Sequence, residues 1–403
     1  MTRDALTTQC AIAGGGPAGL MLGLLLARAG VDVVVLEKHG DFLRDFRGDT
    51  IHPSTMEVMH ELGWLEEFLQ LPHQPVVRLS ARFGDTVITL ADFSRLRCHA
   101  QFIAMMPQWD FLTFLARKAR GFRSFRLIMH GEAQELLREN ERVVGLHGRT
   151  PTGVIDIRAD LVVAADGRAS TLRAQAGLIA EEFGAPMDVL WFRLSRQPGD
   201  TAETQGRFDA GRIFIMLNRG DYWQCAFVIA KGADAQLRAA GLPAFHATLA
   251  ALLPIDHARA EEIRDWEQVK LLTVQVNRLR RWWQPGLLCI GDAAHAMSPV
   301  GGVGVNLAIQ DAVASANILA AKLKRGSVMP ADLASVQLRR ERPTRLTQRL
   351  QLIIQNRVIA PTLSQRGPME APLALRLLTR IPILRDLPGR FIGLGFQPEH
   401  PSL

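Results

Sequence analysis

A single tyrosine, Tyr222, occurs in the 403 residues of this chain, so a relay of several phenols is excluded from its chemistry. Cysteine is almost as scarce. Cys10, Cys98, Cys225 and Cys289 stand far apart and form no C-x-x-C pair, which indicates neither a zinc site nor a disulfide framework. Cys10 and Cys289 fall inside apolar strand patterns and read as small buried hydrophobes. No uninterrupted apolar run reaches the roughly eighteen residues of a membrane span. The stretch MTRDALTTQC leads into a strand without a signal-peptide hydrophobic region, which sets the expectation of a cytoplasmic protein. H-E-x-x-H and nucleophile-elbow motifs are missing, and no metal is expected. Basic residues are not interleaved with aromatics as in a nucleic-acid motif, so nucleic acid is not expected as a partner.

What is present is the composition of a soluble globular protein, 48% hydrophobic and 22% charged. Its length suits two or three interlocked domains. The net charge is +7, with much of the excess late, in Arg339-Arg340-Glu341-Arg342 and the arginines that follow. That pattern reads as a solvated helical face, with weak contact to an acidic membrane surface left open.

Three turns carry the chemistry. The first follows the apolar run Gln9–Ala13 and reads Gly14-Gly15-Gly16-Pro17-Ala18-Gly19. An Ala/Leu-rich helix runs from it to Ala29, Gly30 ends that helix, and the strand Val31–Glu37 follows. In this βαβ unit Gly14 permits a tight turn, Gly16 lets the backbone approach a pyrophosphate, and Gly19 lets helix and strand pack closely. The pyrophosphate sits at the positive helix end. Glu37, beside Lys38, is placed to accept from ribose hydroxyls, which argues against a 2′-phosphate at this site. The second turn is Asp166-Gly167-Arg168-Ala169-Ser170-Thr171-Leu172-Arg173, after the strand ending at Ala165. The third, after Leu287–Ile290, runs Gly291-Asp292-Ala293-Ala294-His295 to Pro299-Val300-Gly301-Gly302-Val303-Gly304-Val305-Asn306 and enters a helix reaching Leu323. Asp292 is placed to accept from a polyol chain. The N–H groups at the helix start suit the negative charge of a reduced isoalloxazine, which Gly301, Gly302 and Gly304 would let come near. Ligands of open α/β sheets bind beyond the strands' carboxyl ends, so the three turns are expected to converge on one ligand.

These motifs, in this order, resemble the para-hydroxybenzoate hydroxylase family of single-component FAD-dependent aromatic-ring monooxygenases. The likeness extends over residues 9–37, 44–63, 101–116, 160–174 and 286–316. It implies an α/β fold: a Rossmann-like FAD-binding domain with an inserted β-sheet substrate domain and a C-terminal helical segment. The FAD domain is expected at 1–72, 101–180 and 275–330, the substrate domain at 73–100 and 181–274, and the helical segment at 331–403. By the resemblance, Gly14, Gly16, Pro17, Ala18, Gly19, Glu37 and Lys38 hold the ADP part of FAD. Asp166 and Gly167 serve FAD and NAD(P)H. Asp292 takes the ribityl or pyrophosphate part, and Pro299, Gly301, Gly302, Gly304, Val305 and Asn306 lie against the ring. Arg47 resembles an arginine at the cofactor phosphates, and Gln108, before a helix over Asp110–Arg120, a residue on the flavin chain.

The reaction the family implies uses NADH or NADPH to reduce FAD, and O2 to form a flavin C4a-hydroperoxide that hydroxylates or epoxidises an aromatic or lipophilic small molecule. No second G-x-G-x-x-G follows a strand, which fits a nicotinamide donor that docks transiently. A catalytic residue is not fixed by the pattern; Pro299 and His52 are the candidates, and His295 is another loop histidine. Trp191, Phe192, Phe214 and Trp223 alternate toward a pocket or form ordinary sheet core. Two other readings stay open: a reductase of the same fold acting on a lipid-like alkene, and a non-catalytic flavoprotein. A flavin halogenase is disfavoured because G-x-W-x-W-x-I-P is missing.

Overall fold

The computed structural model describes residues 2–43, 50–201, 204–367, 370 and 382–402. The apolar runs around Cys10, Val34, Val162 and Leu288 are buried on both faces, as strands of a parallel sheet under helices must be. Thr2–Ala13 pairs in parallel with Gly153–Ala164 on one side and Val33–Glu37 on the other. Leu287–Cys289 and Phe125–Met129 extend this sheet in parallel, and the strands Glu132–Glu139 and Arg142–Thr150 add an antiparallel arm. The helices Pro17–Arg28, Gln108–Arg120 and Gly304–Lys324 bury their apolar sides together on one face.

The second large sheet has seven strands: Lys270–Leu272, Met187–Ser195, Tyr222–Ala230, Arg212–Asn218, Gln205–Asp209, Arg78–Phe83 and Thr86–Asp92, in that spatial order. It is mixed, because Gln205–Asp209 runs parallel to Arg78–Phe83. Strand alternation gives it two apolar faces. Phe192, Phe214 and Trp223 lie on the face covered by the helix Leu242–Ala250, whereas Trp191 faces the other way. Those three aromatics are therefore sheet core. The chain reaches this sheet through Gln74–Val76, which belongs to a small sheet with Thr50–Ile51 and Ile103–Met105.

The sequence pattern predicts one helix around Thr55–Leu69 and one near 234–252, and the structure breaks each at a glycine. The one expected over Thr55–Leu69 divides into Pro53–Glu61 and Leu65–Phe68, because Gly63 adopts φ +79°. The one near 234–252 divides into Asp234–Ala239 and Leu242–Ala250 at Gly241, φ +85°. Left-handed backbone ends a helix, and glycine enters it without a steric penalty.

The helix Gly304–Lys324 lies within Val300–Lys324, the one segment among the described residues long and apolar enough to cross a membrane, yet 72% of its apolar window is buried inside the protein. Its middle explains why the basic tail is not simply a solvated face. Asp311, fully buried, accepts from the Gly291 N–H at 3.1 Å and from Arg340 Nε at 3.0 Å, and lies 2.6 Å from His295 Nε2. Arg340, on the helix Pro330–Ile354, is itself fully buried and reaches Glu399 at 3.5 Å, where Arg339 also binds. Burial alone would raise the Asp311 carboxyl; the charges and hydrogen bonds of His295 and Arg340 outweigh it and hold it below the usual carboxylate range. Arg340→Ala leaves this buried carboxylate without its guanidinium partner, an expected loss of about 3–5 kcal/mol. The sign follows from the depressed value. The stabilisation is complete above the unfolded carboxyl near pH ~3.9 and is lost as pH falls through the folded one, so the gap between parent and variant narrows in acid. Thermal unfolding of both proteins at pH 7 and in acid measures it; an unchanged midpoint at pH 7 contradicts the assignment.

Candidate flavin site at the convergence of three turns

The three motif turns meet because their strands end level. Ala13 pairs with Ala164, and Ala164 with Cys289. Gly14 leaves its strand with φ +106°, and a Cβ there would collide with the carbonyl of Ala165. Gly19 is similarly required, because a Cβ would strike the Gly14 carbonyl. Gly291, φ +58°, lies between Ala18 of the first helix and Ala308 of Gly304–Lys324.

Gly16 differs from these glycines. It caps the helix Pro17–Arg28 with φ −77° and ψ −174°, and a Cβ there would meet nothing within 4 Å. Pro17 occupies the first helical turn, where its missing N–H costs nothing. The open space above Gly16, at a positive helix end, is the cradle a pyrophosphate needs. Glu37 closes the next strand and is buried. Its Oε2 accepts from the Gly15 N–H at 2.9 Å, and its Oε1 from the His39 N–H at 3.0 Å. The carboxylate thus also fastens the glycine turn, a task the spacing alone does not reveal. Lys38 is exposed.

Asp166 Oδ1 is buried and has no hydrogen-bond partner, while burial pushes its carboxyl up. An unpaired buried acceptor beside Gly14 fits a hydroxyl-bearing ligand. Gly167 has φ +88° and open space at its Cβ position. Asp292 is partly exposed and accepts from Arg168 Nη2 at 3.1 Å; Arg173 holds the turn from behind through the carbonyls of Ala293 and Arg168.

In the third turn Pro299 caps a short 3-10 helix, Val300–Gly302, before Gly304–Lys324 begins. Gly301 and Gly302 adopt φ +78° and +64°. The closeness that Gly302 permits is to Thr50: a Cβ would strike Thr50 Oγ1, which donates to the Gly302 carbonyl at 3.0 Å. The Asn306 side chain is also spent inside the protein. Its Oδ1 accepts from the His52 N–H and from Thr55, and its Nδ2 donates to Thr50 O. That leaves only its backbone for the ligand role that the resemblance implies. Gln108 is the first residue of Gln108–Arg120, three beyond Met105, which pairs with Thr50. Arg47 lies outside the described residues.

His52 is buried, and its Nδ1–H donates to the carbonyl of Ile392 at 2.7 Å. Burial pushes it down to about 4, so it is neutral, with Nε2 an acceptor that has no partner. His295 is committed to Asp311 and packs on Trp282, ring centroids 4.9 Å apart.

Sequence reasoning missed a row of glutamines. Gln348, Gln351 and Gln355, all buried, project from the C-terminal helix and the π turn after it onto the segment leading into Pro299. Their spacing of three and four residues places them on one helical face, a signal visible in the sequence.

Comparisons with known proteins identify the family and the fold. The FAD binding domain family matches residues 7–349. The 6-methylpretetramide 4-monooxygenase of Streptomyces rimosus is 31% identical over 400 residues, 98% of this chain and 94% of that protein. The 3-demethoxyubiquinol 3-hydroxylase of Escherichia coli is 25% identical over 327 residues, 77% of this chain and 79% of that protein. Among solved structures, p-nitrophenol 4-monooxygenase of Pseudomonas putida superposes with a TM-score of 0.75 at 20% identity, covering 97% of this chain and 96% of that one. With the three turns in register beside an inserted mixed sheet, the chain belongs to the FAD binding domain family and, within it, to the FAD-dependent aromatic-ring monooxygenases, which are oxidoreductases.

Proposed function

We propose that the protein uses NADH or NADPH and O2 to insert one oxygen atom into an aromatic or lipophilic small molecule. The observation that supports this most is the apolar layer between the flavin loop and the second sheet. Val300 of the loop packs in one cluster with Val189, Ile213, Ala226 and Val228 of the sheet and with Leu352 and Ile359 of the C-terminal helical segment. A ring held by that loop has a wall of aliphatic side chains nearby. Such a wall accepts a flat apolar substrate and excludes water, which oxygen insertion requires. One polar group interrupts it: Trp191, packed against the same cluster, has a buried Nε1–H without a partner. That donor suits a carbonyl or hydroxyl oxygen on the substrate. The relatives' names, on 6-methylpretetramide and demethoxyubiquinol, favour the same kind of molecule.

FAD, when bound and reduced, supplies the electrons that activate O2. The chain's own residues do the rest. Gly16 and the start of Pro17–Arg28 receive the pyrophosphate. Asp292 accepts from the polyol chain, with Arg168 beside it. Backbone N–H groups at the start of the helix Gly304–Lys324 stabilise negative charge on the ring without reorganising. His52, neutral and buried behind Asn306, orders this loop and is no proton donor at pH 7.

Gly16→Ala tests the cofactor's place cleanly, since a methyl group there touches no protein atom. Unfolding stability of the apo protein is expected within about 1 kcal/mol of the parent, because only the cap residue changes. FAD affinity in a fluorescence titration falls at least about tenfold through collision with the pyrophosphate, a loss of ~1.4 kcal/mol. Unchanged affinity places the pyrophosphate elsewhere.

The reaction is tested by following NADH and NADPH oxidation with a panel of phenols, polycyclic aromatics and quinols, with and without O2. The expected result is substrate-stimulated oxidation that needs O2 and a product heavier by one oxygen. Turnover without O2, with a saturated product, establishes the reductase instead. No oxidation with either nicotinamide, despite bound FAD, establishes a non-catalytic flavoprotein.

A further inference from the structure

The segment Ala296–Val300 carries the polypeptide from the Gly291–Asp292 turn to the glycines of the flavin loop, and it has few strand or helix partners of its own. Asn277 holds Ala296, and much of the remaining polar backbone is satisfied by side chains from the helix Pro330–Ile354 and the π turn after it. Gln351 does most of this. Its Oε1 accepts from the Ser298 N–H at 3.2 Å, and its Nε2 donates to the carbonyls of Ser298 and Val300, both at 2.9 Å. One carboxamide therefore serves three backbone groups, as a neighbouring strand would. Gln348, one turn earlier, donates to the carbonyls of Ala296 at 3.2 Å and Asn277 at 2.7 Å, and Arg278 fixes its orientation at 2.7 Å. Gln355, at the start of the π turn Gln355–Ile359, donates to Ser298 Oγ at 2.7 Å. All three are buried, so water does not substitute for them.

The same helical segment presents Leu352 and Ile359 to the apolar layer that contains Val300 and the second sheet. It therefore touches the wall assigned to the substrate and grips the loop assigned to the flavin. We propose that Gln351 is a positioning residue for the flavin ring: acting through Ser298 and Val300, it sets the pose of the loop Pro299–Gly304, with Gln348 and Gln355 completing the clamp. The proposal rests on the reading that this loop lies against FAD. Gln351 does not touch the cofactor. It acts as donor and acceptor together, and only a carboxamide of this length supplies both to one residue's N–H and C=O. Glutamate keeps the shape and loses both donated bonds; asparagine keeps the chemistry and falls one methylene short.

The test compares parent, Gln351→Glu, Gln351→Asn and Gln355→Leu, with Gly16→Ala as the control for the cofactor site. Three quantities are read: unfolding temperature of the apo protein, FAD affinity, and midpoint potential of the flavin at saturating FAD. A residue that only stabilises the fold lowers the unfolding temperature and leaves the potential of saturated flavin where it was. The expected result for Gln351→Glu is a displaced potential and FAD affinity weakened about tenfold, the cost of a few buried hydrogen bonds. Gln351→Asn and Gln355→Leu move both quantities in the same direction by less. If Gly16→Ala loses FAD affinity while the Gln351 variants keep the parent's potential and affinity, the inference fails and the cofactor site stands. If Gly16→Ala binds FAD as the parent does, the site itself is wrong. Should the Gln351 variants not fold, Gln355→Leu decides by the same criterion, since it replaces one buried side chain by an apolar one of similar size.

Discussion

The register of three parallel strands is the constraint from which the site follows. Ala13, Ala164 and Cys289 end level, so turns some 150 and 280 residues away from the first in sequence open at the same edge. The fit at that edge is closed to within one methyl group: Gly14 against the Ala165 carbonyl, Gly19 against Gly14, and Gly291 against Ala18 and Ala308. A shift of one residue in any of these strands would separate the turns by roughly 3.3 Å and reverse which side chains face the helices. The glycines therefore serve the protein's own packing first. Gly16, free of protein neighbours, is the one in the first motif left for a ligand.

Level strands alone do not fix the third turn, which must come from a short strand of three residues, Leu287–Cys289. The helix Gly304–Lys324 supplies what that strand lacks. Along its length Asn306 binds the segment around Thr50 and His52, Asp311 binds Gly291 and His295, and Asn317 donates to the carbonyl of His400. Arg340 and Glu399 extend the Asp311 network to the end of the described chain. Charges so placed cost much desolvation, and a nonpolar core of equal volume would be about as stable. What they add is direction: Asp311 has two oxygens, and each is committed to a partner from a different segment.

This division explains what was legible in the sequence. The glycine turns, the βαβ unit and the fold class were readable because each motif is local and its residue types are dictated by backbone geometry. Burial of Cys10 and Cys289 was readable for the same reason. The C-terminal helix was not. Arg339 and Arg340 look alike in sequence, yet one lies half exposed on Glu399 and the other is fully buried on Asp311. Helical periodicity alone does not say which partners wait on the buried side. Gln348, Gln351 and Gln355 had a regular spacing, but glutamine on a basic helix normally reads as solvated surface, and only tertiary contact shows otherwise. The break at Gly241 was missed because glycine inside a helical pattern is tolerated often enough to be passed over.

Substrate choice is the least legible part, and the reason is geometric. The turns of the candidate cofactor site are constrained by close backbone approach, so their residue types announce themselves. The second sheet is constrained only to present alternating apolar faces, a demand that Val, Ile, Leu, Phe or Trp meets equally well. Phe192 and Trp191 are neighbours in sequence, yet one is core beneath Leu242–Ala250 and the other faces the layer with Val300. Sequence pattern tells that they differ in side and not which side meets the flavin loop. The loop in turn takes its position from the C-terminal helical segment, whose Leu352 and Ile359 complete the same layer. The proposed substrate wall and the proposed flavin loop are thus held by one element, and a change in that wall that moves this helix moves the loop as well. On that proposal specificity is not free to vary strand by strand, because the glutamines that grip Ala296–Val300 tolerate little displacement before their hydrogen bonds break.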